Sequence, residues 1–315
     1  MTLLELRNTR FISLLIVVGI GVWFHYRYGG LKIWYAKFFR ISLTARRFYT
    51  TYEHVFRDIV FHPELQTRLD VYTPATGNNH PVLIFIHGGS WYKYQKELFA
   101  TVAMRFLPED MVVVVPDYTL HPHAKCQKMA TEVAAASVWT LENIAQYGGD
   151  PQRVVISGHS AGAHLMMLAM ADPQFLSQFG HTSTDFAGMI GLSGVYDIAA
   201  QDRFGLEIGA SVTIMRAVVD GPDNFAQRSP IHHIHAELPP ILLIHGANDR
   251  VVQPHMSQDL HAAIKNVGGQ SQLKIYDQAD HTNYVFEAVM KPKSELVIDM
   301  ATFVKTATST HLEVV

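Results

Sequence analysis

Residues 154–170 read VVISGHSAGAHLMMLAM. A four-residue apolar run, VVIS, meets Gly158-His159-Ser160-Ala161-Gly162, and an apolar run of helical character follows at once. A buried strand that turns through Gly-x-Ser-x-Gly into a helix lifts the serine hydroxyl above the end of a sheet. The turn is tight, so the neighbours of Ser160 must be small and one backbone conformation is strained. Ser160 then stands at the amino end of a helix, where free N–H groups and the helix dipole favour developing negative charge. The pattern predicts a nucleophilic serine.

The flanking sequence supplies the sheet such a turn needs. Residues 82–87 (VLIFIH), 111–115 (MVVVV) and 241–245 (ILLIH) are continuous apolar runs, as expected of strands covered on both faces, and 273–276 is a further strand candidate. Helix-length segments lie between them at 95–107, 125–147 and 254–267. Two shorter candidates, 55–61 and 68–72, are separated by His62-Pro63 and suggest a hairpin-like start. Strand and helix alternating at this spacing imply right-handed crossovers and an open, mostly parallel α/β sheet flanked by helices. The longest stretch without a clear strand, about 196–238, is expected to form a small lid over the site.

Three further elements belong with Ser160. His87-Gly88-Gly89-Ser90-Trp91 ends the 82–87 strand. Its glycines allow backbone N–H groups to approach a substrate oxygen, so Gly88, Gly89 and the N–H of Ala161 are the expected oxyanion hole. Asp249 follows the 241–245 strand and His281 follows 273–276, which is the order serine, acid, histidine. Strand carboxyl ends are where open α/β sheets place their ligands. His281 is the expected base and Asp249 its orienter, with Asp280 as the alternative acid because it adjoins the base. Trp91, Tyr92, Tyr118 and His159 are the candidate substrate-binding residues. Hydrophobic packing is an equal reading for the aromatic ones.

Composition removes other classes. The chain has 315 residues and a formal net charge of −3, which gives no bulk attraction for nucleic acid. Its single cysteine, Cys126, excludes an internal disulfide and a multi-thiolate zinc site. His121, His123 and the group His232, His233, His235 lack accompanying ligands at a recognised spacing, so neither metal nor cofactor is expected.

Before the sheet, residues 11–24 (FISLLIVVGIGVWF) pass without a charge between Arg10 and Arg27. A span wants about 20 apolar residues, with about 17 as a lower limit. Snorkelling arginines make 1–28 a candidate single-pass membrane anchor, with a cleaved signal peptide and secretion as the alternative. No small-x-small cleavage site follows. Residues 29–52 are basic and aromatic, as in a linker or an amphipathic helix lying on a membrane. The catalytic domain is expected over 53–308, with a tail at 309–315.

The set formed by residues 87–91, Asp117-Tyr118, 158–162, Asp249 and His281 resembles the hormone-sensitive-lipase-like carboxylesterases of the α/β-hydrolase class. The stretches 142–150, 160–164, 191–197, Ser229-Pro230 and Leu238-Pro239-Pro240 are most similar to isoprenylcysteine methylesterases. The resemblance implies an α/β-hydrolase fold and hydrolysis of the carboxyl methyl ester of prenylated cysteines by a membrane-bound enzyme. Kynurenine formamidases share the core motifs and leave an amidase as the alternative, beside a catalytically silent receptor. The chain departs from many relatives at Thr119, where they carry arginine, and at Ser90, the usual third glycine of the oxyanion loop.

Overall fold

The computed structural model describes residues 31–314. The apolar stretch 11–24 lies outside them. Among the described residues no helix is long and apolar enough to cross a membrane.

Eight strands form one sheet: β1 (Val55–Val60), β2 (Arg68–Tyr72), β3 (His80–Ile86), β4 (Val112–Pro116), β5 (Gly149–His159), β6 (Gly188–Leu192), β7 (Ile241–Gly246) and β8 (Ser271–Tyr276). Their order is β1-β2-β4-β3-β5-β6-β7-β8. The hairpin β1–β2 joins β4 antiparallel, and every pairing from β4 to β8 is parallel. The helices are α1 (Leu31–Thr51), α2 (Ala100–Phe106), α3 (Cys126–Asn143), α4 (Ala161–Ala171), α5 (Pro173–Leu176), α6 (Ile198–Glu207), α7 (Thr213–Val218), α8 (His255–Asn266), α9 (Asn283–Met290) and α10 (Glu295–Val314).

The apolar runs are explained by the pleat. Alternate side chains of a strand point to opposite faces. Val82, Ile84, Ile86, Val112 and Val114 join a core made with α3, α4 and α8. Leu83, Phe85, Val113 and Val115 join the opposite core with α2, α9 and α10. Both faces are dry, so the few polar residues on these strands are partnered, as Ser157 is through its hydroxyl to the Ile84 carbonyl at 2.7 Å.

One strand escaped the sequence reading. β6 reads GMIGL, and two glycines break its apolar run. They are packing requirements: a Cβ on Gly191 would lie 2.1 Å from the Tyr196 hydroxyl. The other departures lie at the ends. The expected tail is helical, since α10 runs to Val314. Of the linker and the amphipathic helix expected over 29–52, the structure has a helix, α1, folded onto the second core through Phe48, Tyr49 and the following Tyr52. In α1, Ile41 and Ala45 are buried while Phe39, Arg40, Leu43, Arg46 and Arg47 are exposed.

A buried ion cluster fastens this end of the chain. Lys96 is 1% exposed, and its Nζ lies 2.8 Å from Asp58, 3.0 Å from Asp70 and 3.1 Å from Glu97. Its backbone N–H donates to Asp117 Oδ1 at 2.8 Å. Burial works against the ammonium charge, but the three carboxylates outweigh it and push Lys96 above its usual value. The cluster ties β1 and β2 to the loop that follows β3.

Candidate active site

Ser160 sits between β5 and α4 with φ 55° and ψ −122°, a conformation that costs a non-glycine residue energy. Its neighbours hold it there. A Cβ on Gly162 would lie 2.1 Å from the Ile86 carbonyl oxygen and 2.4 Å from that of His87. A Cβ on Gly158 would lie 2.7 Å from the Gly162 carbonyl. The Ser160 N–H donates to Leu192 of β6 at 2.9 Å, which anchors the turn to the next strand.

The loops after β7 and β8 bring the acid and the histidine to this turn. Ser160 Oγ is 2.9 Å from His281 Nε2, and His281 Nδ1 is 2.7 Å from Asp249 Oδ2. A carboxylate only accepts, so Nδ1 carries the proton and the Nε2 lone pair faces the serine hydroxyl. Asp249 Oδ1 accepts the N–H groups of Val251 and Val252 at 2.8 and 2.9 Å. Burial would raise its carboxyl, but the neighbouring His281 and the hydrogen bonds from His245 and His281 outweigh that and hold it well below the usual range. Asp280 faces the same cavity, yet its Oδ1 accepts the N–H groups of Thr282 and Asn283, so it shapes the turn and does not touch the His281 ring.

The glycine loop lies against the nucleophile. A Cβ on Gly88 would be 2.8 Å from the His159 carbonyl oxygen and 3.1 Å from Ser160 Cβ. Gly89, Ser90 and Trp91 all have positive φ (128°, 53° and 64°), so the loop is coiled into a strained nest. Among the described residues the Gly88 and Gly89 amides donate no hydrogen bond to the backbone. The Ala161 amide opens α4 and has no partner within its helix. Gly88 and Gly89 line the same cavity as Ser160, and Ala161 follows the serine directly.

The candidate binding residues divide. His159 lines the cavity. Its Nε2–H donates to the His281 carbonyl at 2.9 Å, and burial, then the charge of His281, pushes it down to about 3, so the ring is neutral. Trp91, Tyr92 and Tyr118 do not line the cavity, which corrects the sequence expectation for all three. Trp91 is turned into the core, where Nε1–H donates to His164 Nδ1 at 3.2 Å and ties the loop to α4. Tyr118 is buried beneath the loop, stacks on His87 at 4.6 Å and donates its hydroxyl to the His87 carbonyl at 3.1 Å. Tyr92 is half-buried, with the Lys93 ammonium 4.6 Å from its ring centre.

Ser160 opens into a cavity of about 550 Å³. Its walls are mostly apolar, with Phe38 and Ile41 of α1, Phe99 before α2, Val102 and Phe106 of α2, Val285 and Phe286 of α9, and Leu296 and Met300 of α10, while Lys93, Arg105, Arg250 and Asp280 also line it. No residue of 196–238 lines it, which corrects the expected lid. That stretch packs elsewhere: Met215, Val218, Val219 and Phe225 are buried in the core shared with α3 and α4. The cover comes instead from both ends of the chain. Sequence reading missed α1 here because its two cavity residues look like any pair on an amphipathic helix. Among the described residues no group of three or more His, Cys, Asp or Glu side chains is arranged to hold a metal.

Comparison with known proteins places this geometry. The BD-FAE family model matches residues 69–264, well over half of the chain. An isoprenylcysteine alpha-carbonyl methylesterase of Arabidopsis thaliana is 27% identical over 266 residues, covering 80% of this chain and 62% of that protein. Esterase LipQ of Mycobacterium tuberculosis is 31% identical over 232 residues, covering 71% and 55%. The chain thus spans less than two-thirds of the length of these curated relatives. Among solved structures, a truncated carbohydrate esterase from gut microbiota superposes with a TM-score of 0.70 at 20% identity, over 82% of this chain and 98% of that one. At that identity the likeness speaks to the fold, which is that of the α/β-hydrolases.

Proposed function

Because the chain belongs to the BD-FAE family, we propose that it is a serine carboxylic-ester hydrolase working through Ser160, His281 and Asp249. The observation that carries this reading is the continuous line from Asp249 Oδ2 through the His281 ring to Ser160 Oγ, with contacts of 2.7 and 2.9 Å. Ser160 Oγ attacks the ester carbonyl carbon as its proton passes to His281 Nε2. The carbonyl oxygen becomes an oxyanion held by the N–H groups of Gly88, Gly89 and Ala161. Collapse of the tetrahedral intermediate expels the alcohol, which takes the proton from His281, and leaves the acyl group on Ser160. Water then gives a proton to His281, attacks the acyl carbon, and the acid departs as Ser160 regains its proton. Asp249 holds the imidazole tautomer and stabilises the imidazolium in both halves.

The substrate assigned to this machinery is an ester with a bulky apolar group, the methyl ester of a prenylated cysteine first among them. The apolar cavity beside Ser160 and the methylesterase names of the curated relatives support that choice. The uncharged stretch 11–24 is assigned to a membrane anchor, consistent with such a substrate.

The test is hydrolysis of p-nitrophenyl esters and of N-acetyl-S-farnesylcysteine methyl ester by the full chain beside Ser160→Ala. Serine-dependent release of both products is expected. Turnover of N-formylkynurenine with none of either ester would replace the reading by an amidase. A folded protein that binds these esters without turnover would make it a receptor. Retention in the pellet after alkaline extraction of membranes checks the anchor.

A further inference from the structure

The helix α1 (Leu31–Thr51) has two faces that meet different surroundings. At 3.6 residues per turn, Phe39, Arg40, Leu43, Arg46, Arg47 and Thr50 fall within an arc of about 120°. All six are exposed, Phe39 by 62% and Leu43 by 50%. The opposite arc carries Phe38, Ile41 and Ala45 toward the protein, and Phe38 and Ile41 reach the catalytic cavity. Among the described residues Arg40, Arg46 and Arg47 form no ion pair with a carboxylate at their own surface, whereas nearby Lys96 is surrounded by three.

Charge is segregated along the sequence. Residues 1–52 carry eight Lys or Arg and one Glu, net +7, while the remainder carries 17 basic and 27 acidic residues, net −10. A chain of overall charge −3 thus concentrates its positive charge at one end. Arginines flanking exposed Phe and Leu on one face of a helix are the chemistry of an interfacial helix on an anionic surface. An acidic protein patch would pair with the arginines but leave Phe39 and Leu43 without an apolar phase to enter.

We propose that the outer face of α1 docks the catalytic domain on an anionic lipid bilayer, with the inner face of the same helix forming the cavity wall. Phe39 and Leu43 enter the headgroup boundary while Arg40, Arg46 and Arg47 meet lipid phosphates and carboxylates. An apolar ester then passes from the bilayer along α1 to Ser160 without crossing water. Docking stands independently of the catalytic reading, whereas delivery rests on it.

The experiment uses the full chain with vesicles of phosphatidylcholine, alone or mixed with phosphatidylserine, and compares it with Arg40→Glu/Arg46→Glu/Arg47→Glu. Each basic side chain near an anionic surface is worth about 5-fold in partitioning, so losing three and replacing them by carboxylates should weaken the anionic preference by at least about 100-fold. Residues 11–24 would bind both vesicle types, so the readout is the difference between them and its loss in high salt. Hydrolysis of a long-chain ester dissolved in the vesicles should follow binding. Hydrolysis of p-nitrophenyl acetate without lipid should be unchanged, and its absence in the native chain would sink the esterase reading while leaving docking measurable by co-sedimentation. A Phe39→Ser/Leu43→Ser variant, which leaves charge intact, should weaken the preference for the phosphatidylserine vesicles by removing the apolar insertion that brings the arginines to the surface, and serves if the triple variant misfolds. An equal preference in native and triple variant, or no preference in the native chain, overturns the proposal. So does a concentration-dependent dimer in the absence of lipid that the triple variant abolishes.

Discussion

His245 Nε2 lies 3.2 Å from Asp249 Oδ2, the same oxygen that accepts His281 Nδ1–H at 2.7 Å. The other acceptor at His245 Nε2 is the Val252 carbonyl at 3.0 Å, and Ser257 Oγ is 2.8 Å from Nδ1. Both partners of Nε2 only accept, so Nε2 carries the proton and Nδ1 takes the Ser257 hydroxyl proton. His245 and Ser257 are both fully buried, and Asp249 is therefore gripped from two sides. A hydrogen bond to a charged group contributes about 1.5–3 kcal/mol. His245→Phe should lower kcat by about 10- to 100-fold with little change in KM. Steady-state kinetics would refute this with a kcat within two-fold of native.

Replacing Ser160 or His281 by Ala should each cost about 10⁵- to 10⁶-fold in kcat, and the double variant no more than either alone. Asp249→Asn should cost about 10⁴-fold through the wrong imidazole tautomer. A burst of p-nitrophenol in the native protein, absent in Ser160→Ala, would report the acyl-enzyme.

Asp249 also sets a pH dependence of stability. Its folded pKa lies below the unfolded value of about 4, so the ionised carboxylate is favoured in the native state. Its contribution is complete above that value and drains away as the pH falls below it. Asp249→Asn should therefore be destabilised most near neutrality, and the gap in Tm to the native protein should narrow below about pH 4. Thermal denaturation at a series of pH values measures the gap.

Gly162→Ala places a methyl group 2.1 Å from the Ile86 carbonyl oxygen. Backbone cannot yield as a side chain would, so the serine turn and the oxyanion loop must part. Overpacking costs about 1–3 kcal/mol, and the lower stability should accompany near-complete loss of esterase activity. A Gly162→Ala variant with native activity would contradict the packing.

Lys96→Met removes the cation and leaves Asp70, itself fully buried, without its counter-charge. Breaking a buried pair costs about 3–5 kcal/mol. Asp58 is 65% exposed and Glu97 42%, so water partly compensates them, and about 3 kcal/mol is expected. Adding Asp70→Asn should recover part of it, as a double-mutant cycle in urea would reveal.

Ile41→Trp should fill part of the cavity wall. Esters of long acids or alcohols should lose about 10-fold or more in kcat/KM against short ones, since a hydrophobic pocket discriminates by about 1–3 kcal/mol per methylene. A series of p-nitrophenyl esters of increasing length would expose an unchanged preference.

The serine turn, the parallel strands and the glycine loop were legible because each rests on a local necessity. A strand dry on both faces is apolar along most of its length, and a turn as tight as that around Ser160 must be flanked by glycine. Asp249 and His281 were legible through chain order. β6 was hidden by glycines that its neighbours demand. Of the two readings open for Trp91 and Tyr118, packing holds and cavity lining does not, because adjacency to the glycine loop says nothing of which way a ring turns, and both turn inward. The place of α1 could not be read at all, since its contact with Ser160's cavity joins residues more than a hundred positions apart.

The family match takes in only part of the cavity wall, Phe99, Val102 and Phe106 among it. Ser160, Asp249 and the glycine loop lie within residues 69–264, whereas Phe38, Ile41, Phe286 and Met300 lie outside it. His281, alone of the proposed triad, lies outside it as well. The candidate nucleophile and acid therefore share one stretch with part of the wall, while the rest of the wall is written nearer the two ends. Such a layout lets Phe38, Ile41, Phe286 and Met300 be rewritten, by drift or by a designer's library, while Ser160, Asp249 and the glycine loop keep their sequence.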